Sequence, residues 1–216
     1  MSEELALIDR SLKTPRAAAI AGILFSVLSI ASELMIWSSI PANPLGSAAQ
    51  VVNHAKTLTR ALDLAPFVGI AFLWFIAVFR DRLGELEDRF FATVVLGSGL
   101  LYIAMFFASA ALAGGVLTVL SSGTESLIQS GAYAVGRAQV YQITNIYGIK
   151  MAGVFMISTS TVSLRTRIVP RWMTYLGYAL ALLLLLAVGT IKWTPLVFPL
   201  WVLLMSVCIL VENYRA

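Results

Sequence analysis

Residues 90–114 read FFATVVLGSGLLYIAMFFASAALAG, a run of 25 residues without a charged side chain. At 1.5 Å per residue, a helix of that length measures about 38 Å, and the hydrocarbon core of a bilayer is roughly 30 Å thick. The run therefore predicts a membrane-spanning helix. Working outward from it, we find five more apolar runs and expect six spans, at roughly 17–40, 61–79, 90–114, 140–163, 173–191 and 195–212.

The composition of the whole chain indicates a membrane protein. Of its 216 residues, 59% are hydrophobic and 12% are charged, whereas soluble domains average about 45–50% and 25%. Polar residues are too few to cover a soluble fold, and disorder requires low hydrophobicity with high charge. We expect an all-α fold, a bundle of six transmembrane helices forming a single domain over residues 1–216.

The basic residues lie mainly between the apolar runs, and their distribution predicts the topology. If the spans alternate in direction, ten of the 15 Lys and Arg residues fall on one side and four on the other, while Lys150 falls inside a span. Because short cytoplasmic loops are rich in Lys and Arg, we expect a cell-membrane protein with both termini in the cytoplasm. The net charge of +4 is then a topological signal, and no nucleic-acid partner is expected.

Two stretches on the outer side are less apolar than the spans. Residues 45–60 carry apolar side chains at helical spacing, so they are expected to form an amphipathic helix on the membrane surface or a rigid extension of the second span. Residues 121–139 are polar and are expected to form an outer loop. The first apolar run follows basic residues, as in a signal peptide, but it continues to Ile40 and is longer than a typical signal.

One face of the first span carries small and hydroxyl residues and ends in a carboxylate. Its members follow at steps of three and four and are Gly22, Ser26, Ser29, Glu33 and Trp37. Residues at this spacing share one side of a helix, and that side should point into the bundle. Because a charge inside a membrane is costly, Glu33 is a candidate functional residue.

Lys150 is the second charge inside an expected span, at a depth similar to that of Glu33. Gln142 and Asn145 lie in a polar arc of the same span. Three interpretations are open. Glu33 and Lys150 form an ion pair that fixes the register of two helices, they line a polar cavity that handles a substrate or ion, or they do not touch. The candidate binding residues are Glu33, Lys150, Asn145, Gln142 and Ser29.

No motif points to catalysis or to a cofactor. The sequence contains no HExxH, GxSxG or GxxxxGK[ST], the signatures of zinc proteases, α/β-hydrolases and P-loop proteins. A single His and a single Cys cannot build a closed zinc site or a bis-histidine haem site within one chain. The sequence therefore names no catalytic residue, metal ligand or cofactor, and it gives no reason to expect an enzyme.

Two stretches, residues 14–24 (TPRAAAIAGIL) and 168–177 (IVPRWMTYLG), are typical of chains entering a membrane. In the second, proline starts a helix, Arg171 stays in the cytoplasm and Trp172 anchors the interface. On these stretches the chain resembles a loose bacterial family of six-helix integral membrane proteins with a domain of unknown function. The resemblance implies a six-helix fold and supplies no catalytic residues.

Two functions follow from these observations. Small residues four apart, such as Ala104 and Ala108 or Gly148 and Ala152, allow helices to approach closely in lipid. They favour an interaction or accessory subunit that binds copies of itself or another membrane protein. The alternative is a small dimeric transporter or channel-like protein that moves a solute or ion through the site at Glu33 and Lys150.

Overall fold

In a computed structural model, the described residues are 2–39, 53–83, 89–121, 131–186 and 193–215, and nearly all of them are helical. The helices are α1 (Ser2–Ser39), α2 (Ala55–Leu83), α3 (Arg89–Ser121), α4 (Ala132–Gln142), a π-helical segment (Ile143–Gly148), α5 (Ile149–Thr166), α6 (Arg171–Leu186) and α7 (Thr194–Arg215). α4, the π-helical segment and α5 form one continuous rod. The described part of the chain contains no strand, which confirms the all-α class.

Four helices, α1, α2, α3 and α7, are long and apolar enough to cross a membrane. Large apolar side chains also cover the outside of the bundle. Trp74 is 63% exposed, Ile20 62% and Leu186 72%. A bundle that is apolar both inside and outside is typical of a protein surrounded by lipid.

The helices extend beyond several of the expected spans. α1 begins at Ser2, well before the expected start near residue 17. In contrast, α6 as described ends at Leu186, before the expected end near residue 191. Residues 55–60 form the first turns of α2, which agrees with a rigid extension of the second span. The rest of the expected amphipathic segment, up to residue 52, lies outside the described residues, as do residues 187–192.

The expectation of an outer loop over residues 121–139 is wrong for its second half, because residues 132–139 belong to α4. This segment packs on α3 and against the start of α2. A Cβ atom at Gly136 would come very close to the Val116 side chain, so glycine permits the close approach of α4 to α3. Tyr133 packs against Leu58. These contacts stabilise a helix in a stretch whose polarity suggested a loop, and residues 122–130 lie outside the described residues.

α1 lies between α2 and α7 and packs extensively against both. α3 connects α2 to the rod of α4 and α5, and α6 packs mainly on α5. The contact between α1 and α7 is close, because a Cβ atom at Gly22 would overlap Ser206 Oγ and crowd the Phe75 ring. The inward-facing row of α1 thus begins at a point where only glycine fits.

An aromatic cluster occupies the centre of the bundle. Rings from four other helices surround Phe198 of α7, with centroid distances of 4.7 Å to Tyr102, 5.5 Å to Phe72, 5.7 Å to Phe155 and 5.8 Å to Phe25. All four pairs are edge-to-face, the arrangement that the charge distribution of aromatic rings favours. α1, α2, α3, α5 and α7 therefore meet at one side chain.

We predict that Phe198→Ala lowers the free energy of unfolding by about 3 kcal/mol, because truncating a buried aromatic side chain leaves a cavity and removes its ring contacts. Phe67→Ala is the matched control, since Phe67 is 59% exposed on α2, and it should cost less than about 1 kcal/mol. Unfolding in mixed micelles with increasing denaturing detergent measures both values. Equal losses would contradict a central role for Phe198.

Candidate polar site at Glu33

The structure buries the polar face of α1, which confirms its predicted inward orientation. Ser26 is 0% exposed, Ser29 1% and Glu33 7%. The Ser26 hydroxyl donates a hydrogen bond of 2.7 Å to the carbonyl oxygen of Gly22, a way of satisfying a hydroxyl within its own helix. Glu33 has no such local solution, because a carboxylate needs donors from outside its helix.

Glu33 lines a cavity between the helices, with a volume of about 20 Å³, enough for roughly one water molecule. Three hydroxyl-bearing residues share it, namely Tyr102 of α3, Thr144 of the π-helical segment and Thr194 of α7. The remaining lining residues are apolar and are Phe106, Gly148, Ile149, Ala152, Leu184, Pro195 and Phe198. The cavity is therefore a small polar pocket in apolar surroundings.

The π-helical segment brings Thr144 to this cavity. Its wide turn is marked by the amide of Ile149, which donates to the carbonyl oxygen of Thr144, five residues earlier. Ser109 of α3 holds the threonine in place, since the two hydroxyls lie 2.5 Å apart. π turns within α-helices are frequent at functional sites, and here the turn lies against the only acidic side chain that lines the cavity within the described part of the chain.

The other candidate residues lie outside this cavity. Lys150 is half-buried and Gln142 is exposed, and neither lines the cavity. Asn145 is half-buried, and its side-chain amide donates a 3.2 Å hydrogen bond to the Tyr141 carbonyl oxygen. The Ser29 hydroxyl lies near Tyr102 but is not in hydrogen-bond geometry with any described atom.

The structure brings Glu33 to the cavity but not Lys150, so the geometry matches neither the ion pair nor a cavity that both residues line, and it agrees with the third interpretation, in which they do not touch. Within the described residues no salt bridge joins the two side chains, and Glu33 faces hydroxyls rather than a cation. The π turn explains why the arc of polar residues did not converge on Glu33. It inserts about one extra residue per turn, so a face drawn at regular α-helical spacing does not continue through residues 143–148. Thr144 and Gly148 line the cavity instead.

Sequence reasoning missed Tyr102 and Thr194 as members of the site. Tyr102 was visible as the only tyrosine in the uncharged run of residues 90–114, a position where a hydroxyl needs a partner. Thr194 begins α7, and the sequence around it looked like a turn between spans. Only the packing of α3 and α7 beside α1 brings these residues to Glu33.

The arrangement is suited to binding a single small polar species. A carboxyl group and three hydroxyl-bearing side chains can hold one water molecule or a small cation, and the rest of the lining is apolar. In the described ranges no group of three or more His, Cys, Asp or Glu side chains is placed to hold a metal ion. The cavity is also too small for an organic substrate, since pockets for such ligands measure about 300–1,000 Å³.

Comparison with known proteins gives no relative. No family model matches the chain, and neither the curated proteins nor the solved structures contain a significant match. The resemblance to six-helix bacterial membrane proteins therefore rests on residues 14–24 and 168–177 alone and stays a prediction.

We predict that exchanging the charges of Glu33 and Lys150 does not restore folding. Glu33→Lys should reduce the yield of monodisperse protein severalfold, because it places a cation in a cavity with no described acidic partner. The double variant Glu33→Lys/Lys150→Glu should fold no better, and Lys150→Met alone should keep the native yield. Size-exclusion chromatography of fluorescent fusions in mild detergent measures all three. Recovery in the double variant would show that the two residues pair.

Proposed function

We propose that the chain is a polytopic protein of the cell membrane, with six spans and both termini in the cytoplasm, and that it works as an interaction subunit. Four helices have membrane length. The rod of α4, the π-helical segment and α5 covers 35 residues, about 52 Å at 1.5 Å per residue, and α6 adds 16 residues. The ten-to-four distribution of basic residues supports the orientation.

The observation that carries the interaction role is the exposure of α3. Only 17% of its membrane-length window is buried in the bundle, against 44% for α1 and α2 and 56% for α7. The helix carries a row of exposed or half-buried residues at alternating steps of four and three. We call this row the α3 stripe, and its members are Gly97, Leu101, Ala104, Ala108, Ala111 and Gly115. Five of the six are glycine or alanine.

Two glycines of the α3 stripe are not required by the packing of the described residues. A Cβ atom at Gly97 or at Gly115 would meet no heavy atom within 4 Å, so neither glycine serves a contact among the described residues. Glycine is also less favourable in a helix than alanine. Small residues on facing helices allow their backbones to approach closely in lipid, where packing drives association.

We propose a second copy of this chain as the partner, with the two α3 stripes packed together. A stripe of small, uncharged residues is self-complementary, and a two-fold dimer brings the same patch of both subunits into contact. Leu101 within the stripe is 50% exposed, and Phe107 beside it is 38% exposed. Both side chains provide apolar contact area around the small residues.

We predict that Ala104→Leu weakens the dimer in lipid bilayers about tenfold, because the larger side chain separates the two backbones. Ala77→Leu is the matched control, since Ala77 is also an exposed alanine but lies on α2, and it should change the dissociation constant less than about twofold. Energy transfer between labelled subunits in liposomes measures the dissociation constant.

Cysteine cross-linking locates the interface independently. In a Cys208→Ser background, Ala104→Cys should form a disulfide-linked dimer under mild oxidation, and Ala77→Cys should not. A monomer at all lipid dilutions would overturn the proposal. Stoichiometric co-purification of a different membrane protein that cross-links to Ala104→Cys would replace the second copy with another subunit.

A second function, transport of an ion or small solute, is favoured by Glu33 itself. Its carboxyl group shares a cavity with three hydroxyl-bearing residues and has no cationic partner among the described residues. Such intramembrane carboxyls commonly mark ion pathways. The aromatic cluster lies beside the cavity, because Tyr102 and Phe198 belong to both, and transport would require these rings to move.

We predict for this second function that Glu33→Gln reduces proton or monovalent-cation flux into liposomes at least tenfold while the protein still assembles. Asp63→Asn is the matched control, since it makes the same carboxyl-to-amide change at an exposed position of α2, and it should leave the flux unchanged. Dyes trapped in the liposomes measure the internal pH or cation concentration. Equal flux in the Glu33→Gln variant and the unmodified protein would exclude transport through this cavity.

A further inference from the structure

A second cavity lies where α5 ends and α6 begins, far along the chain from Glu33. It measures about 250 Å³ and is lined by Ser163, Leu164, Arg167, Val169, Pro170, Arg171 and Thr174. We refer to it as the α5–α6 pocket. It is much larger than the Glu33 cavity and smaller than the 300–1,000 Å³ typical for drug-sized ligands, so it has the size for a compact group rather than a whole metabolite.

Two buried hydroxyls of this pocket are unsatisfied. Ser163 is 0% exposed and Thr174 is 1% exposed, and neither hydroxyl oxygen has a hydrogen-bond partner in the described part of the chain. Buried polar groups in proteins are nearly always hydrogen-bonded, so an orphan requires an explanation such as a bound group. Five other buried hydroxyls of the described residues, such as those of Thr159 and Ser160 on α5, also lack a partner, but none of them belongs to a residue that lines this pocket.

Positive charge surrounds the same pocket. Arg167 and Arg171 line it, and no salt bridge to either occurs within the described residues. Arg167 has a left-handed backbone with φ 54°, a conformation more usual for glycine after a helix end. Pro170 precedes the first residue of α6. The Met173 amide donates to the Pro170 carbonyl oxygen at 3.0 Å, whereas the amides before it lie at the positive end of the helix dipole, where helical acceptors are lacking.

We infer that the α5–α6 pocket binds the oxyanion of a phosphate group, carried by an anionic lipid or by free phosphate. Hydroxyl donors, guanidinium groups and helix N-terminal amides are the donors that phosphate oxygens require. A cation would find no acceptor among the charged residues that line the pocket, and an apolar ligand would leave Ser163 and Thr174 unsatisfied.

Exposed aromatic residues near the pocket are of the kind found at the level of lipid phosphates in a bilayer. Trp172 is 55% exposed and Tyr175 is 61% exposed, both in the first turns of α6, and such aromatic residues gather at the level of lipid headgroups. An anionic headgroup beside these side chains would reach the pocket with its phosphate while its acyl chains remain in the bilayer.

The test uses the full chain, delipidated in mild detergent and titrated with short-chain phosphatidic acid or inorganic phosphate, with native mass spectrometry counting the adducts. Arg167→Gln and Arg171→Gln should each weaken binding about tenfold. The pair Ser163→Ala/Thr174→Val should weaken it severalfold without changing any charge. Arg165→Gln is the matched control, because Arg165 is exposed near the same end of α5 but does not line the pocket, and it should change binding less than twofold.

The two ligands distinguish the source of the phosphate. Binding of phosphatidic acid that inorganic phosphate does not displace indicates a lipid headgroup, and binding of inorganic phosphate alone indicates a free anion. Either result supports the pocket if the variants differ as stated. Equal weakening by Arg165→Gln and Arg171→Gln would show attraction by overall charge and would overturn the inference, as would saturation with neither ligand. Thermal unfolding of each ligand-free variant verifies that the pocket variants are folded.

Discussion

The packing of aromatic rings around Phe198 is the interaction on which the described bundle depends. In lipid, apolar surface gains little from leaving its surroundings, so helices associate through close packing and hydrogen bonds. Phe198 contacts rings from α1, α2, α3 and α5 at centroid distances of 4.7 to 5.8 Å, and removing it would loosen several helix pairs at once. The same ring, with Tyr102, lines the cavity of Glu33. The geometry of the polar site is consequently fixed by the packing that holds the helices together.

Many hydroxyl groups inside this bundle form hydrogen bonds, and they do so in two ways. Many that the structure describes donate to a carbonyl oxygen one turn earlier, as Ser98 does to Val94 at 2.6 Å. A few instead join helices, such as Thr161 and Tyr178 at 2.8 Å between α5 and α6. Seven buried hydroxyls of the described residues do neither. Two of them, on Ser163 and Thr174, share one pocket with two arginines.

Hydropathy and helical periodicity predicted the parts of the structure that depend on regular helices. The apolar runs predicted six spans, and four of these runs form described helices of membrane length. The spacing of Ser26, Ser29 and Glu33 predicted which side of α1 is buried. The neighbours of Glu33 could not be predicted, because they depend on which helices touch α1 and on a π turn with no clear sequence signature. That turn brought Thr144 to the cavity in place of Gln142 and Asn145. Likewise, α4 forms in a polar stretch because Gly136 and Tyr133 pack against neighbours distant in sequence.

The size of the Glu33 cavity has a consequence for how that carboxyl group is solvated. The cavity has about 20 Å³ of space, which is room for about one water molecule and not for bulk solvent. A group on the protein surface adjusts its hydration gradually, as many waters exchange and reorient. Glu33 cannot adjust in this way, because the fixed side chains of Tyr102, Thr144 and Thr194 supply most of the polar groups around its carboxyl group.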